Sequence, residues 1–437
     1  MIEFYILLLE HLPVFVLIFL LTFASTALLF RKHISSVFDP LFYFLVVTES
    51  FCIADVIFMA VYDFIEIRYL IQYLSSELAL FAGVLFFSPR SRDCQQDIIV
   101  HPNTALLRTL FQLSFFLFVS LNLFVYATRG VPILLDNRLE VYQVGGGIGF
   151  ISRMFDVLLV IIFYYLLEMQ RKNGWRWREW ACLFVISLIQ LLSGAKSSVL
   201  TLVFIAALYM FYLGTNTNTY KRVTRLLNRI FFGAVVAFLV IAQVQISDIQ
   251  VGDRNLNLFD QAALRFVNNG DAFTYAYPRK MVETLDGRGP ILAVMREYVA
   301  FFRLVPAEDI QVHLGLQISK AFNGNDTINQ TNAKHNLFGY VNFGFFGSIV
   351  FSLMLGLSMG YVRYILFRKR GISWVTGIPY ILLNLGFISS VSDSDSTSRA
   401  ILNFIFVYCP LLLASFFILR AARKNPDPAI PVRDVHD

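Results

Sequence analysis

Long apolar runs separated by short polar connections recur from one end of the chain to the other. Eleven of them stand out: residues 12–30, 41–59, 69–88, 107–127, 153–169, 178–193, 197–213, 229–246, 337–362, 374–391 and 400–420. A helix rises about 1.5 Å per residue, so such runs match a hydrocarbon core about 30 Å thick. The pattern predicts an all-α polytopic membrane protein with about 11 transmembrane helices. The first run lacks a basic leader and reads as a retained span, not a cleaved signal. Residues 1–246 carry helices 1–8 and a loop at 128–153, and residues 247–336 form one large loop. Helices 9–11 follow at 337–420, and 421–437 is a polar tail.

Composition agrees: 57% of the 437 residues are hydrophobic and 15% are charged, against about 25% charged in soluble domains. Charge placement adds orientation. Alternate connections are basic, including "RKH" (31–33), "QRKNGWRWREW" (170–180) and "RYILFRKR" (363–370). That side holds 21 Lys and Arg; the other holds 15, nine of them in the long loop, which is too long to be weighed. The bias predicts a cytoplasmic basic side, an external N-terminus and a cytoplasmic C-terminus. All four Trp fall at the cytoplasmic interface, as an aromatic belt does. The net charge of +6 is therefore topological, and no nucleic-acid partner is expected. Four Cys without a CxxC pair indicate neither a disulfide framework nor a zinc site.

The external side gathers the residues with chemistry. In "LSGAK" Lys196 sits in a tight turn between two apolar runs. It reads either as a snorkelling lysine at a helix end or as a cation aimed at an anion in the outer leaflet. The loop 128–153 contains Arg129, Arg138, Arg153 and "GGGIG". In the large loop, "GPILAVMREYVAFFRLVP" (289–306) predicts an amphipathic helix. Ile291, Val294, Met295, Tyr298, Val299 and Phe302 share one face, and Arg296 and Arg303 share another. Such a helix lies on the interface or roofs a cavity. Upstream, Arg265 lies one turn from Asn268 and Asn269, with Asp271 beyond; guanidinium, amide and carboxylate groups together suit a phosphorylated, polyhydroxylated ligand. His335 is expected just outside the ninth span.

Glu49, Asp55 and Glu77 lie inside spans, where acids are expensive and face a cavity or a partner, here Lys196 or an external Arg. "SVSDSDSTSR" (390–399) holds a D-x-D; between short spans it reads as an N-cap for the last helix, so no metal is expected. GxxxxGK[ST], GxGxxG and HExxH are all absent, which excludes an ATP motor and a dinucleotide site.

Four segments in order, "RGVPILLDNRLEVYQVGGGIGFISRM", "LSGAKSSVLTLVFIAALYMFY", "RFVNNGDAFTYAYP" and "KHNLFGYVNFGFFGSIVFSLMLG", resemble the Wzy-type O-antigen polymerases (oligosaccharide repeat unit polymerases). The resemblance runs from about residue 120 to 362. Some members carry an Arg-x10-Gly element in external loops; Arg138 to Gly149 has that spacing, while Arg279 to Gly289 is one residue short. The resemblance implies a GT-C-like, inverting glycosyltransferase in lipopolysaccharide biosynthesis, acting at the periplasmic face of the bacterial inner membrane. Its partners would be an undecaprenyl-pyrophosphate-linked oligosaccharide donor and acceptor, membrane lipids and a chain-length regulator protein. It implies no cofactor, because the leaving group is a lipid pyrophosphate. The developing negative charge needs fixed cations, for which Arg138, Lys196, Arg265, Arg296 and Arg303 lie on the expected side. His335 or Asp271 would be the base. The alternatives are an O-antigen ligase, with the same chemistry, and a flippase or other transporter of lipid-linked oligosaccharide. A transporter would place charges at the bilayer midplane and show repeated halves.

Overall fold

The computed structural model describes residues 2–87, 104–135, 141, 148–213, 225, 268–324, 331–368 and 374–424, apart from positions 175, 195, 288, 307, 308 and 311. Among the described residues every regular element is helical. In chain order they are α1 (Ile2–Glu10), α2 (Leu12–Phe30), α3 (Glu49–Val61), α4 (Ile67–Phe87), α5 (Thr104–Arg129), α6 (Ile148–Asn173), α7 (Trp177–Leu192) and α8 (Lys196–Leu213). The large loop contributes α9 (Asp271–Ala276), α10 (Pro290–Phe302) and α11 (Leu314–Asn323). Then come α12 (His335–Arg368), α13 (Trp374–Ser389), α14 (Ser396–Asn403) and α15 (Cys409–Lys424). A π-helical stretch, Phe42–Thr48, leads into α3, and another, Phe404–Tyr408, joins α14 to α15.

Among the described residues seven helices are long and apolar enough to cross a membrane, and 200–212 and 374–389 are shorter apolar helices. The run at 178–193 is the 16-residue α7, and the run at 229–246 lies outside the described residues. The chain is thus an all-α multi-pass membrane protein. Its outward surface is what lipid demands: Leu17, Leu28, Leu78, Phe86, Phe346 and Phe417 are all exposed.

One expected span is built differently. Gly344 has φ 73° and ψ −174°, a conformation open to glycine alone, and it breaks α12. His335 Nδ1 lies 2.8 Å from Ser352 Oγ, although 17 residues of straight helix would separate them by about 25 Å. The rings of Phe338 and Phe343 each lie 5.2 Å from Phe351. Residues 335–343 are therefore an arm folded back along a shaft that begins at Phe345. The arm returns the start of α12 about 10 Å down the shaft, level with Ser352.

The shaft is seated on α4 by glycines. A Cβ on Gly83 would lie 2.5 Å from Leu353 O, and one on Gly356 or Gly360 would lie 2.2 Å from Leu80 O or 2.6 Å from Val84 O. "GLSMG" (356–360) is a small-xxx-small surface, which lets backbones meet where lipid gives no hydrophobic drive. At the basic end, the buried Arg363 forks onto Asp39, with Nη1–Oδ1 at 3.1 Å and Nη2–Oδ2 at 2.6 Å, and it covers the Phe211 ring.

Two buried apolar clusters result. One unites α1–α4, the large-loop helices and α12; the other unites α5–α8, α13 and α15. Helix α13 contributes to both. Replacing Gly356 by Val is expected to separate α4 from the shaft, because the obstacle is backbone and cannot swing aside. The check is the amount of monodisperse protein recovered from membranes; wild-type recovery and an unchanged unfolding midpoint would contradict this packing.

Candidate functional site

A cavity of about 490 Å³ opens where the two clusters meet. Its apolar lining comes from Tyr43 and Phe44 of the π-helical stretch, Val160 of α6, Leu200 and Phe204 of α8, and Leu382 and Leu385 of α13. Its polar lining has Asp156, Lys334, Asp393 and Arg399, with Asn269, Asn332 and Asn403. That volume is typical of small-molecule sites, but four ionisable groups around it are not typical of a lipid gap.

The ionisable groups differ in how far the fold already occupies them. Lys334, at the foot of the arm, is 1% exposed; its Nζ donates to Glu49 Oε1 at 2.9 Å and Ser392 Oγ at 3.3 Å. Beside it, His335 Nε2 lies 3.1 Å from Glu77 Oε1, which also accepts from Asn336 Nδ2 at 3.0 Å. Gln72 ties the layer together, donating to Ser348 Oγ and accepting from the Tyr277 hydroxyl. Two of the acids predicted inside spans, Glu49 and Glu77, therefore have partners, Lys334 and His335 at the start of the arm, whereas both carboxylate oxygens of the third, Asp55, are buried without a hydrogen-bond partner among the described residues.

Asp393 and Asp395 form the outer layer. Asp395 occupies the N-cap position of α14, but its side chain makes no capping hydrogen bond. It accepts instead from Arg296 Nη1 at 2.8 Å, and Arg296 also bonds Glu297. Arg153 pairs with Glu297. Asp393 lies 3.1 Å from His313 Nε2 and 3.4 Å from Arg399 Nη2. The capping expectation is corrected: the carboxylates bond Arg296 of α10, His313 at the start of α11 and Arg399 of α14 in place of a helix end. Burial works against a charged Asp393, yet the His313 hydrogen bond and the Arg399 charge outweigh it and hold the carboxyl below its ordinary range.

His313, Asp393 and Asp395 bring one ligand atom each within 4.8 Å of one another, as Glu49, Glu77 and His335 also do. The donor set does not suit an ion at His313. Gly315 N–H donates to Nδ1 at 3.2 Å, so the ring proton sits on Nε2, the nitrogen that faces the carboxylates. Arg296 already neutralises Asp395. The three groups form a latch between the large loop and the turn after α13.

The predicted site residues divide as follows. Arg296 belongs to the latch. Arg303 does not share its face: α10 ends at Phe302, and Arg303 turns left-handed (φ 51°, ψ 44°) and is exposed. The amphipathic helix is present, but Ile291, Val294, Met295 and Phe302 face outward while Ala293 and Glu297 are buried. This is the orientation of a helix lying against lipid. His335 is not external; it is fully buried. It does not line the cavity, nor does Asp271, and the two are not brought together. Arg138, Arg265 and the side chain of Lys196 lie outside the described residues. Asp156, His313, Lys334 and Arg399 went unnoticed in the sequence. The signal for Asp156 was a single acid just inside the outer end of a span, one turn after Arg153.

No family model, curated protein or solved structure matches this chain.

Two expectations follow from this geometry. Replacing Lys334 by Met leaves Glu49 buried beside nothing, which costs about 3–5 kcal/mol; adding Glu49→Gln should recover most of it. Unfolding midpoints of the single and double variants in detergent check this, and additive losses would show that the pair does not couple. Asp271 gives a pH dependence. Burial raises its carboxyl to about 7, against the Ala272 N–H and the Lys334 charge, with Asp55 near it. A raised acid keeps its proton in the folded state when the unfolded chain has released it. Stability should therefore fall as pH rises from about 4 to 7 and level off above. Asp271→Asn should remove that decline, read from unfolding midpoints between pH 4 and 8; an unchanged slope would contradict it.

Proposed function

We propose that the chain is an O-antigen polymerase, an inverting glycosyltransferase with a GT-C-like build and eleven spans. It joins undecaprenyl-pyrophosphate-linked oligosaccharide repeats at the periplasmic face of the bacterial inner membrane, with its N-terminus outside and its C-terminus in the cytoplasm. The reading rests on the order of the four segments in the sequence. The observation that supports it best is the mixed lining of the cavity, which brings aromatic and aliphatic side chains together with charges and amides. A lipid-linked saccharide needs both: an apolar track for the prenyl chain, and hydrogen-bonding groups for sugar and pyrophosphate. Negative charge grows on the pyrophosphate as the glycosidic carbon leaves it, and Arg399 is a cation in the cavity wall that can meet it. Lys196, Arg138 and Arg265 keep their proposed part as further pyrophosphate contacts.

A second reading has an observation of its own. Glu49, Glu77, Lys334 and His335 form an ionisable cluster buried among spans, the arrangement expected of a coupled transporter of lipid-linked oligosaccharide. One experiment separates the readings. The purified chain in liposomes receives a defined undecaprenyl-pyrophosphate-linked repeat, and the products are resolved by gel and mass spectrometry. A ladder of multiples with released undecaprenyl pyrophosphate is expected. Unchanged repeats that have crossed the bilayer would favour the transporter. Transfer only when lipid A core is added would favour the ligase.

A further inference from the structure

The cavity wall contains two carboxylates, and they stand in opposite conditions. Asp393 is committed on both sides, to His313 and to Arg399. Asp156 is exposed, although it lies on α6 in the midst of the second apolar cluster, and it lines the cavity. The next residues along the helix, Val157 to Ile162, are all buried. The area that Asp156 exposes is therefore cavity surface. Its carboxylate has no hydrogen-bond or ion-pair partner among the described residues; Arg399 and Arg153 act on it only through their charges.

An unpartnered carboxylate inside a membrane-spanning bundle is costly to keep. The other acids of the site show how the fold handles that cost elsewhere: Glu49 has Lys334, Glu77 has His335, Asp395 has Arg296 and Glu297 has Arg153. Asp156 is left open to whatever fills the cavity. Of the two carboxylates that line the cavity it is the one with its lone pairs unused, and a partly exposed guanidinium, Arg399, lines the same cavity.

The geometry points to Asp156 as the general base of the transfer reaction, with Arg399 as the cation on the leaving group; this rests on the polymerase reading above. The acceptor hydroxyl oxygen attacks the anomeric carbon of the donor glycan from the face opposite the pyrophosphate, and its proton passes to Asp156. The new carbon–oxygen bond forms as the bond from the anomeric carbon to the pyrophosphate oxygen breaks. That electron pair leaves with undecaprenyl pyrophosphate, beside Arg399, and Asp156 later returns its proton to water. No oxidant, reductant or metal is needed for the balance. Neither His335 nor Asp271 reaches the cavity to compete for the role.

The test uses the full chain in lipid nanodiscs with the same lipid-linked repeat. Asp156→Asn should lower kcat by about 10²–10⁴-fold, the range a positioned base supplies, with donor binding kept within a few-fold. Asp156→Glu should recover part of the rate. Asp156→Ala should be partly rescued by added formate, whose carboxylate fits the vacated space; a structural role would not respond to formate. An active wild type with Asp156→Asn near its rate would overturn the assignment and leave the polymerase reading standing. Equal loss of rate and donor binding, with no formate rescue, would also overturn it and make Asp156 a binding contact. A wild type that forms no polymer would overturn the reading and the assignment together.

Discussion

The half of the molecule that carries the large loop depends on one charge that the chain places among its spans. Lys334 is 1% exposed, and its ammonium rests on Glu49 in the middle of the stretch from Phe42 to Val61. Neither group is tolerable there alone, since apolar surroundings return nothing for a lost hydration shell. Together they fix where the large loop ends, and the rest follows. The arm after Lys334 must climb to Gly344 before the shaft can descend, so His335 meets Glu77 and Gln72 meets Ser348. The same lysine reaches Ser392, and His335 N–H bonds Val391 O, so the turn after α13 is pinned below the latch.

Glycine makes this layer possible in two ways. At Gly344 it supplies a backbone conformation closed to other residues. At Gly83, Gly356 and Gly360 it removes the side chains that would hold α4 and the shaft apart. Close seating puts Gln72 and Glu77 of α4 within reach of arm and shaft together. At the other end, Asp39 and Arg363 hold the shaft to the turn before α3. The shaft is thus clamped by ions at both ends and packed by backbone between them. The cavity lies beside this rigid unit, walled on one side by the π-helical stretch, where the i→i+4 ladder is already interrupted.

The apolar helices were legible in the sequence because apolar length alone decides them: the described helices fall on ten of the eleven expected runs, and seven of them are long and apolar enough to cross a membrane. The arm was not. "NLFGYVNFGFFGSIVF" is apolar on both sides of the break, and three glycines lie within nine residues; nothing local says which of them turns the chain. That is why His335 was expected at the surface and is found buried. The polarity of α10 was readable but its orientation was not, since membrane proteins bury charged faces and expose apolar ones. Asp395 misled through a sound local rule: a D-x-D before a helix caps it, unless donors from elsewhere reach the same oxygens, as Arg296 and His313 do.

Charge counting along a membrane chain is therefore a poor guide to its chemistry. Arg296, Arg153 and Lys334 belong to the set expected on the external side, and each already has a carboxylate partner. Their charge is neutralised within the fold, and a ligand gains little from a cation whose field is cancelled at 3 Å. Chemistry belongs instead to groups that the fold leaves open at a cavity, and those are found by subtracting the paired residues from the charged ones. The subtraction removes every residue of the latch and of the buried layer. It leaves Asp156, together with an Arg399 held only at 3.4 Å by Asp393, an acceptor and a cation facing the same space. A cavity that joins one free anion and one loosely held cation with aromatic and aliphatic side chains suits a ligand that is itself part sugar, part phosphate and part hydrocarbon.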